Sequence, residues 1–238
     1  MTYHSIETLN KAQKRIVAHK NGPALVIAGA GSGKTRVITH RVAQLIHSGV
    51  PASSILLLTF TNKAADEMTQ RVGKAINNST DQNKIIHGTF HSVGNRFLKQ
   101  HAKLLDYKNN FSILDTSDSK DMIKAAIAET MGKPGKFFPK AAVLQNLFSL
   151  AFNRNGSQDM ILSLPYHKRN FLLDQLIYSD YPHFEEYLET MIKVLAAYRK
   201  KKNRGQVMDF DDLLENWLEL LVLHGEGLPL CRQINYIL

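Results

Sequence analysis

Eight consecutive residues combine glycine, lysine and threonine in an order that is typical of a phosphate-binding loop. Glycines allow the backbone to curl so that successive N–H groups point at phosphate oxygens, and the helix that follows adds a partial positive charge. The lysine of such a loop reaches the β- and γ-phosphates, and its threonine hydroxyl takes one position on Mg²⁺. An ordinary glycine-rich turn would not need this register. The sequence therefore predicts a site for a nucleoside triphosphate with Mg²⁺. The loop residues are Ala28, Gly29, Ala30, Gly31, Ser32, Gly33, Lys34 and Thr35.

Alternating apolar runs and helical patterns predict the elements that position this loop. The run Ala24–Ala30 reads as a buried strand, and apolar residues then recur at helical spacing until Gly49. A second strand is predicted from Ser54 to Phe60, followed by an amphipathic helix for which Asn62 is suited as the N-cap. A third short strand is predicted around Ile85–Ile86. Strands and helices that alternate in this way imply an α/β fold with a parallel, doubly wound sheet.

The sequence changes character after about residue 110, where four successive segments favour helices and are separated by glycine and proline. We expect three parts: residues 1–110 form the first part of a nucleotide-binding core, residues 111–204 form an all-helical insertion, and residues 205–238 return to the core. The last residues read as a short apolar strand.

Three aspartates open the helical pattern of the returning segment. Asp209, Asp211 and Asp212 could suggest a metal site, but their place at a helix start favours capping and interaction with the helix dipole. Trp217 recurs with leucines at helical spacing, which is more often a core pattern than a binding surface.

Composition excludes several classes of protein. The 238 residues contain 30 Lys and Arg against 21 Asp and Glu, which gives a net charge of +9. Residues 1–110 carry 15 basic and 5 acidic side chains, so the excess suggests a polyanionic partner, although a well-solvated surface would look the same. No window approaches a membrane span or the apolar core of a signal peptide, and the single cysteine, Cys231, forms no internal disulfide. We expect a cytoplasmic protein without a membrane partner.

Five ordered segments together resemble the amino-terminal part of the UvrD/Rep/PcrA group of superfamily 1 DNA helicases. The pair Leu9 and Asn10 with Gln13 resembles the family's Q motif, and the phosphate loop followed by Arg36 resembles motif I. The other three segments resemble motif Ia, motif Ib and the region before motif II; they are Thr59–Met68, Gly88–Ser92 and Asp209–Leu214. The resemblance implies a RecA-like core with an inserted subdomain 1B. It also implies that ATP and Mg²⁺ are the cofactors, that Gln13 and Arg36 contact the adenine, and that Lys34 and Thr35 are catalytic.

The same resemblance implies that motifs Ia and Ib bind single-stranded DNA. Aromatic faces stack on bases irrespective of sequence, and polar side chains bind the sugar-phosphate backbone. Core packing is the alternative for each aromatic residue, and a backbone-bonded helix start is the alternative for the histidine. The candidates are Phe60, Thr61, Asn62, Thr89, Phe90 and His91.

The family resemblance implies a 3′-to-5′ ATP-dependent helicase or translocase acting on single-stranded DNA or on DNA with a single-stranded tail. It identifies no protein partner. The family's motif II aspartate and glutamate and its second RecA-like domain are not in this sequence, so we expect a truncated chain without ATPase or unwinding activity. The alternative is a non-catalytic module that binds nucleic acid or protein and keeps a vestigial phosphate loop. A small-molecule kinase is disfavoured because no acceptor base or lid is recognisable.

Overall fold

A computed structural model describes residues 8–76, 79–154 and 171–238. The described residues divide into two compact units. Unit 1 lies within Met1–Val93 and Gly225–Leu238, and unit 2 lies within Gly94–His224. The division into residues 1–110, 111–204 and 205–238 stays a prediction.

Unit 1 combines helices with a small parallel sheet. Its strands are β1 (Ile55–Thr59), β2 (Ile86–Thr89) and β5 (Tyr236–Ile237), in the order β2-β1-β5. Both pairings with β1 are parallel, as predicted. The sheet packs with its helices around buried residues such as Val42, Leu57 and Val72. The helices are α1 (Lys11–Val17), α2 (Lys34–His47), α3 (Asn62–Ile76), the single turn α4 (Ser79–Gln82), the first turn of α5 (Phe90–His101) and α11 (Pro229–Gln233).

The predicted strand Ala24–Ala30 is wrong: the segment has no regular secondary structure before a turn at its end. Leu25 is 89% exposed and Ile27 is 92% exposed. A strand forms only when its backbone groups pair with a neighbour, and this segment pairs with none of the three described strands of the sheet. The segment instead lines a cleft of about 2070 Å³, whose wall also includes Ile237 of β5. An apolar run thus indicates a preference for burial, but it does not specify a neighbouring strand with which the segment would pair.

Unit 2 is helical, as the sequence predicts for much of this region. Helices pack around a core that includes Leu144, Ile177 and Met191. A two-stranded parallel ladder, β3 (Ser112–Ile113) with β4 (Val207–Met208), lies outside that core. The helices are the rest of α5, α6 (Thr116–Met131), α7 (Ala141–Asn153), α8 (Phe171–Asp180), α9 (Leu188–Gly205) and α10 (Phe210–His224).

A buried lysine joins the end of α9 to the start of α10. The side chain of Lys202 is 2% exposed, and its Nζ donates to Asp209 Oδ2 at 2.6 Å and to Asp212 Oδ1 at 2.8 Å. The two aspartates also cap α10 reciprocally, since each backbone N–H donates to the other's carboxylate at 2.9 Å. Tyr198 Oη donates to Asp209 at 2.8 Å. The prediction that Asp209 and Asp212 cap a helix is confirmed, and the lysine adds an ion cluster that sequence alone did not indicate.

Candidate functional site

The phosphate loop adopts the conformation that its glycines permit. Gly31 and Gly33 have φ of 74° and 83°, in the left-handed region that disfavours other residues. Gly33 occupies the N-cap position of α2, and Ser32 Oγ donates to Gly29 O at 2.7 Å. The loop backbone therefore continues directly into the N-terminus of a 14-residue helix, which carries a partial positive charge. This arrangement is suited to binding phosphate.

The ammonium group of Lys34 lies over its own loop. Lys34 Nζ donates to Ala28 O at 3.1 Å and to Gly29 O at 2.8 Å, so the loop carbonyls point at the cation. Thr35 is exposed in the first turn of α2, which leaves its hydroxyl accessible to a cation. Among the described residues there is no group of three or more His, Cys, Asp and Glu side chains that could hold a metal ion. Thr35 with phosphate oxygens of a bound nucleotide would be the natural Mg²⁺ ligands.

Gln13 connects the start of the chain to the phosphate loop. Its Nε2 donates to Ser32 O at 3.0 Å, across 19 residues of sequence. Gln13 also closes a capping box at α1, since its backbone N–H donates to Asn10 Oδ1 at 2.9 Å and its Oε1 accepts from the Asn10 N–H at 3.0 Å. The Arg36 guanidinium donates to Thr8 Oγ1. The structure thus brings the predicted cofactor residues Gln13 and Arg36 beside the loop.

A cationic pocket of about 410 Å³ adjoins Arg36. Its wall also includes His40 of α2 and Arg71 and Lys74 of α3. Burial lowers the pKa of His40, and the neighbouring Arg36 charge lowers it further; both effects favour the neutral imidazole. Arg71 and Lys74 were not predicted from sequence, because their helical spacing reads as an ordinary solvated face of α3. The only sequence signal was their cationic character.

The predicted nucleic-acid residues leave the sheet side by side. The parallel register pairs Thr59 of β1 with Thr89 of β2, so Phe60 and Phe90 follow paired positions at the carboxyl ends of adjacent strands. Ligands gather at this edge of open parallel sheets. Phe60 is 97% exposed and Phe90 is 48% exposed. Neither is a core residue, which removes the packing alternative for both.

Threonine hydroxyls cap the helices that follow both strands. Thr61 Oγ1 accepts from the Ala64 N–H at 3.1 Å at the start of α3. The prediction that Asn62 caps α3 is therefore wrong, because the helix begins one residue earlier than that assignment requires. Thr89 Oγ1 accepts from the Ser92 N–H at 3.1 Å and caps α5. Asn62 is exposed in the first turn of α3. Its amide is accessible to a ligand.

His91 lies half-buried in the first turn of α5. The two loops thus present exposed aromatic rings next to helix N-termini, which is chemistry that suits an unpaired nucleic-acid strand. Residues of the nucleotide group and of the strand-end group both lie in unit 1.

Within the described ranges, none of the helices combines the length and apolarity needed to cross a lipid bilayer.

Comparison with known proteins identifies the family. Residues 9–238 match the family model described as UvrD/REP helicase N-terminal domain. The chain is 36% identical over 231 residues to the ATP-dependent DNA helicase PcrA of Bacillus subtilis, which covers 96% of this chain and 28% of the relative. It is 33% identical to the PcrA proteins of Leuconostoc citreum and Staphylococcus aureus, over 91% and 89% of this chain. The chain spans 26–28% of the length of these relatives. With a match over nearly its whole length, the chain belongs to the UvrD/REP helicase family, in the part formed by the N-terminal domain.

Proposed function

We propose that this chain is the ATP-binding, amino-terminal part of a 3′-to-5′ ATP-dependent DNA helicase or translocase. The observation that carries the proposal is the hydrogen bond from Gln13 to Ser32, because it brings the glutamine that we propose reads the adenine against the phosphate loop. The relatives are named ATP-dependent DNA helicases, which supports ATP as the nucleotide. The core would have the RecA-like fold, with residues 111–204 as the inserted subdomain 1B.

In the proposed nucleotide site each residue has a separate task. The loop from Ala28 to Gly33 binds the phosphates through backbone N–H groups, and Lys34 neutralises the β- and γ-phosphates. Thr35 would provide a hydroxyl ligand for Mg²⁺, which would supply positive charge for the transferred phosphoryl group. Gln13 and Arg36 contact the base. Arg71 lines the cationic pocket together with Arg36, so in the proposed site it would lie near the base that Arg36 contacts.

The proposed DNA contact lies at the strand ends. Phe60 and Phe90 stack on unpaired bases, while Thr61, Asn62 and His91 bind the sugar-phosphate backbone. Thr89 takes part through its cap on α5, which fixes the turn that carries Phe90. Stacking tolerates every base, and a protein that moves along DNA needs that tolerance. The proposed partner is single-stranded DNA or DNA with a single-stranded tail.

The first test is the salt dependence of DNA binding. Displacement of counterions from phosphates makes the affinity fall as salt rises, with a slope of about −0.7 per phosphate contact for single strands. We expect binding of a fluorescein-labelled oligothymidylate to weaken several-fold between low and physiological salt, measured by fluorescence anisotropy. A duplex of the same length without a tail serves as the control and should bind less tightly. An affinity that does not change with salt would contradict a phosphate contact.

Phe60→Ala should weaken binding of the same oligonucleotide. Loss of one stacked base is worth roughly 1–3 kcal/mol by alanine substitution, so the dissociation constant should rise about 5- to 150-fold. Tyr178→Ala is the matched control, since that ring is also exposed, at 58%, but lies on α8 in unit 2. Equal affinities for Phe60→Ala and the wild type would remove Phe60 from the proposed contact.

A further inference from the structure

The two helices α5 and α10 meet through a glycine and the only tryptophan of the chain. A Cβ atom on Gly94 would lie 2.9 Å from Cε3 and 3.2 Å from Cδ2 of Trp217. The indole ring therefore lies directly on the backbone of α5, and even an alanine at position 94 would displace it. One turn further, the Phe97 ring packs on Trp217 with centroids 5.5 Å apart and planes at 45°. The contacts with Gly94 and with Phe97 together hold the indole ring against α5.

The contact between α5 and α10, formed by Gly94, Phe97 and Trp217, is called the seam below. On the α10 side of this seam, the start of the helix is fixed by the ion cluster. Asp209 and Asp212 cap α10 and bind the buried Lys202, so the start of α10 is held in place. Trp217 follows Asp212 by five residues, about one and a half turns. The position of the indole ring is thus set by α10, and α5 packs on that ring.

Three buried polar atoms at the same seam lack partners. Trp217 Nε1, Asn216 Nδ2 and Asn95 Oδ1 have no hydrogen-bond partner among the described residues. Asn95 follows Gly94, and Asn216 precedes Trp217 in sequence. Buried donors and acceptors are normally paired, so each exception needs an explanation. A small shift of α5 along α10 would change which of these two donors and one acceptor can pair.

We propose that Trp217 is a positioning residue for nucleic-acid binding, acting through Gly94 on helix α5. Phe90 lies one helical turn before Gly94, and α5 is continuous from Phe90 to His101. The indole sets how α5 presents Phe90 and His91, and binding of a strand at that first turn shifts the helix against the ring. This inference rests on the proposed DNA-binding function and adds to it a residue outside the motifs that resemble the family's DNA contacts.

The test follows binding and tryptophan emission in parallel. Anisotropy of a fluorescein-labelled oligothymidylate reports binding, and emission excited at the red edge of tryptophan absorption reports Trp217 alone, with unlabelled oligothymidylate as the titrant. We expect the wild-type emission to change with the same midpoint as the anisotropy. A ring that only fills space would not respond to a ligand bound at the first turn of α5.

Two substitutions separate positioning from packing. Gly94→Ala should alter the emission of the free protein and weaken oligonucleotide affinity about 3- to 30-fold, the range by which residues outside a site modulate binding. Gly135→Ala is the matched control, because nothing lies within 4 Å of a Cβ at that position. Trp217→Phe keeps a ring on Gly94 and should retain affinity within about twofold of wild type. Trp217→Ala removes the ring and should weaken oligonucleotide binding by more than twofold. Circular dichroism and thermal melting establish that each variant is folded before its affinity is compared.

The outcomes are distinct. An emission change that tracks binding, with weakened Gly94→Ala and normal Gly135→Ala, supports the proposal. Unchanged emission together with wild-type affinity in Gly94→Ala overturns it while the proposed DNA binding stands. Absence of any anisotropy change in the wild type overturns both.

Discussion

Lys202→Ala is expected to lower the free energy of unfolding by about 3–5 kcal/mol, because it leaves two carboxylates buried without their cation. The side chains of Lys202 and Asp212 are only 2% and 1% exposed, so water cannot replace the lost charge. Urea denaturation followed by circular dichroism measures the change. Lys202→Met retains most of the aliphatic stem, and it should be nearly as unstable if the charge rather than the packing is decisive.

Lys201→Ala is the control for this substitution. Its Nζ forms an ion pair with Glu129, but the two side chains are 30% and 51% exposed. Exposed pairs of this kind contribute about 0–1 kcal/mol, so the variant should unfold close to wild type. A Lys202→Met variant as stable as Lys201→Ala would show that the cluster is not held by charge.

The cluster also predicts the direction of the pH dependence. Burial alone lowers the pKa of Lys202, but the carboxylates of Asp212 and Asp209 more than offset this and raise it above its usual value. A raised lysine pKa stabilises the fold fully below the unfolded pKa of about 10.4, and this stabilisation is lost as the pH rises through the folded value. The stability difference between wild type and Lys202→Met should therefore shrink in strongly alkaline solution. A difference that stays constant through that range would argue against the raised pKa.

Lys34→Ala is expected to weaken nucleotide binding strongly. A hydrogen bond to a charged group contributes about 1.5–3 kcal/mol, so the dissociation constant for a non-hydrolysable ATP analogue with Mg²⁺ should rise about 10- to 150-fold. Isothermal titration calorimetry measures this directly. Because Lys34 also binds the carbonyls of Ala28 and Gly29, thermal melting should accompany the titration to show that the loss is not unfolding.

Lys20→Ala is the control for the nucleotide experiment. It removes an exposed lysine of unit 1 that lies outside the phosphate loop. Its affinity for the analogue should match that of the wild type. If Lys34→Ala also bound within twofold of wild type, the phosphate loop would not be the nucleotide site.

The parts of the fold predictable from sequence are those encoded locally. The helix over Lys34–His47 follows from its apolar spacing, and the reciprocal cap of Asp209 and Asp212 follows from residue types three positions apart. The strand assignment for Ala24–Ala30 failed because pairing depends on a neighbour that an apolar run does not specify. The cap of α3 was misplaced by one residue, since Thr61 and Asn62 are both suited to capping.

The candidate site shows the same limit. The phosphate loop is contiguous and was recognisable, whereas the link from Gln13 to Ser32 is formed across 19 residues and required a resemblance to predict its meaning. Lys202 belongs to a run of basic residues that reads as a solvated helix end. Its burial depends on two aspartates that follow it by 7 and 10 positions, at the start of the next helix, and the apolar spacing of neither helix indicates such a contact.

The pairing of Thr59 with Thr89 fixes a distance as well as a direction. Hydrogen bonds hold adjacent strands about 4.8 Å apart, whatever side chains follow them. The two loops therefore leave the sheet at an interval that is set by the backbone and not by their side chains. In the proposed DNA contact, substitutions in either loop would change how tightly a strand is bound there, while the spacing between the two loops would stay the same.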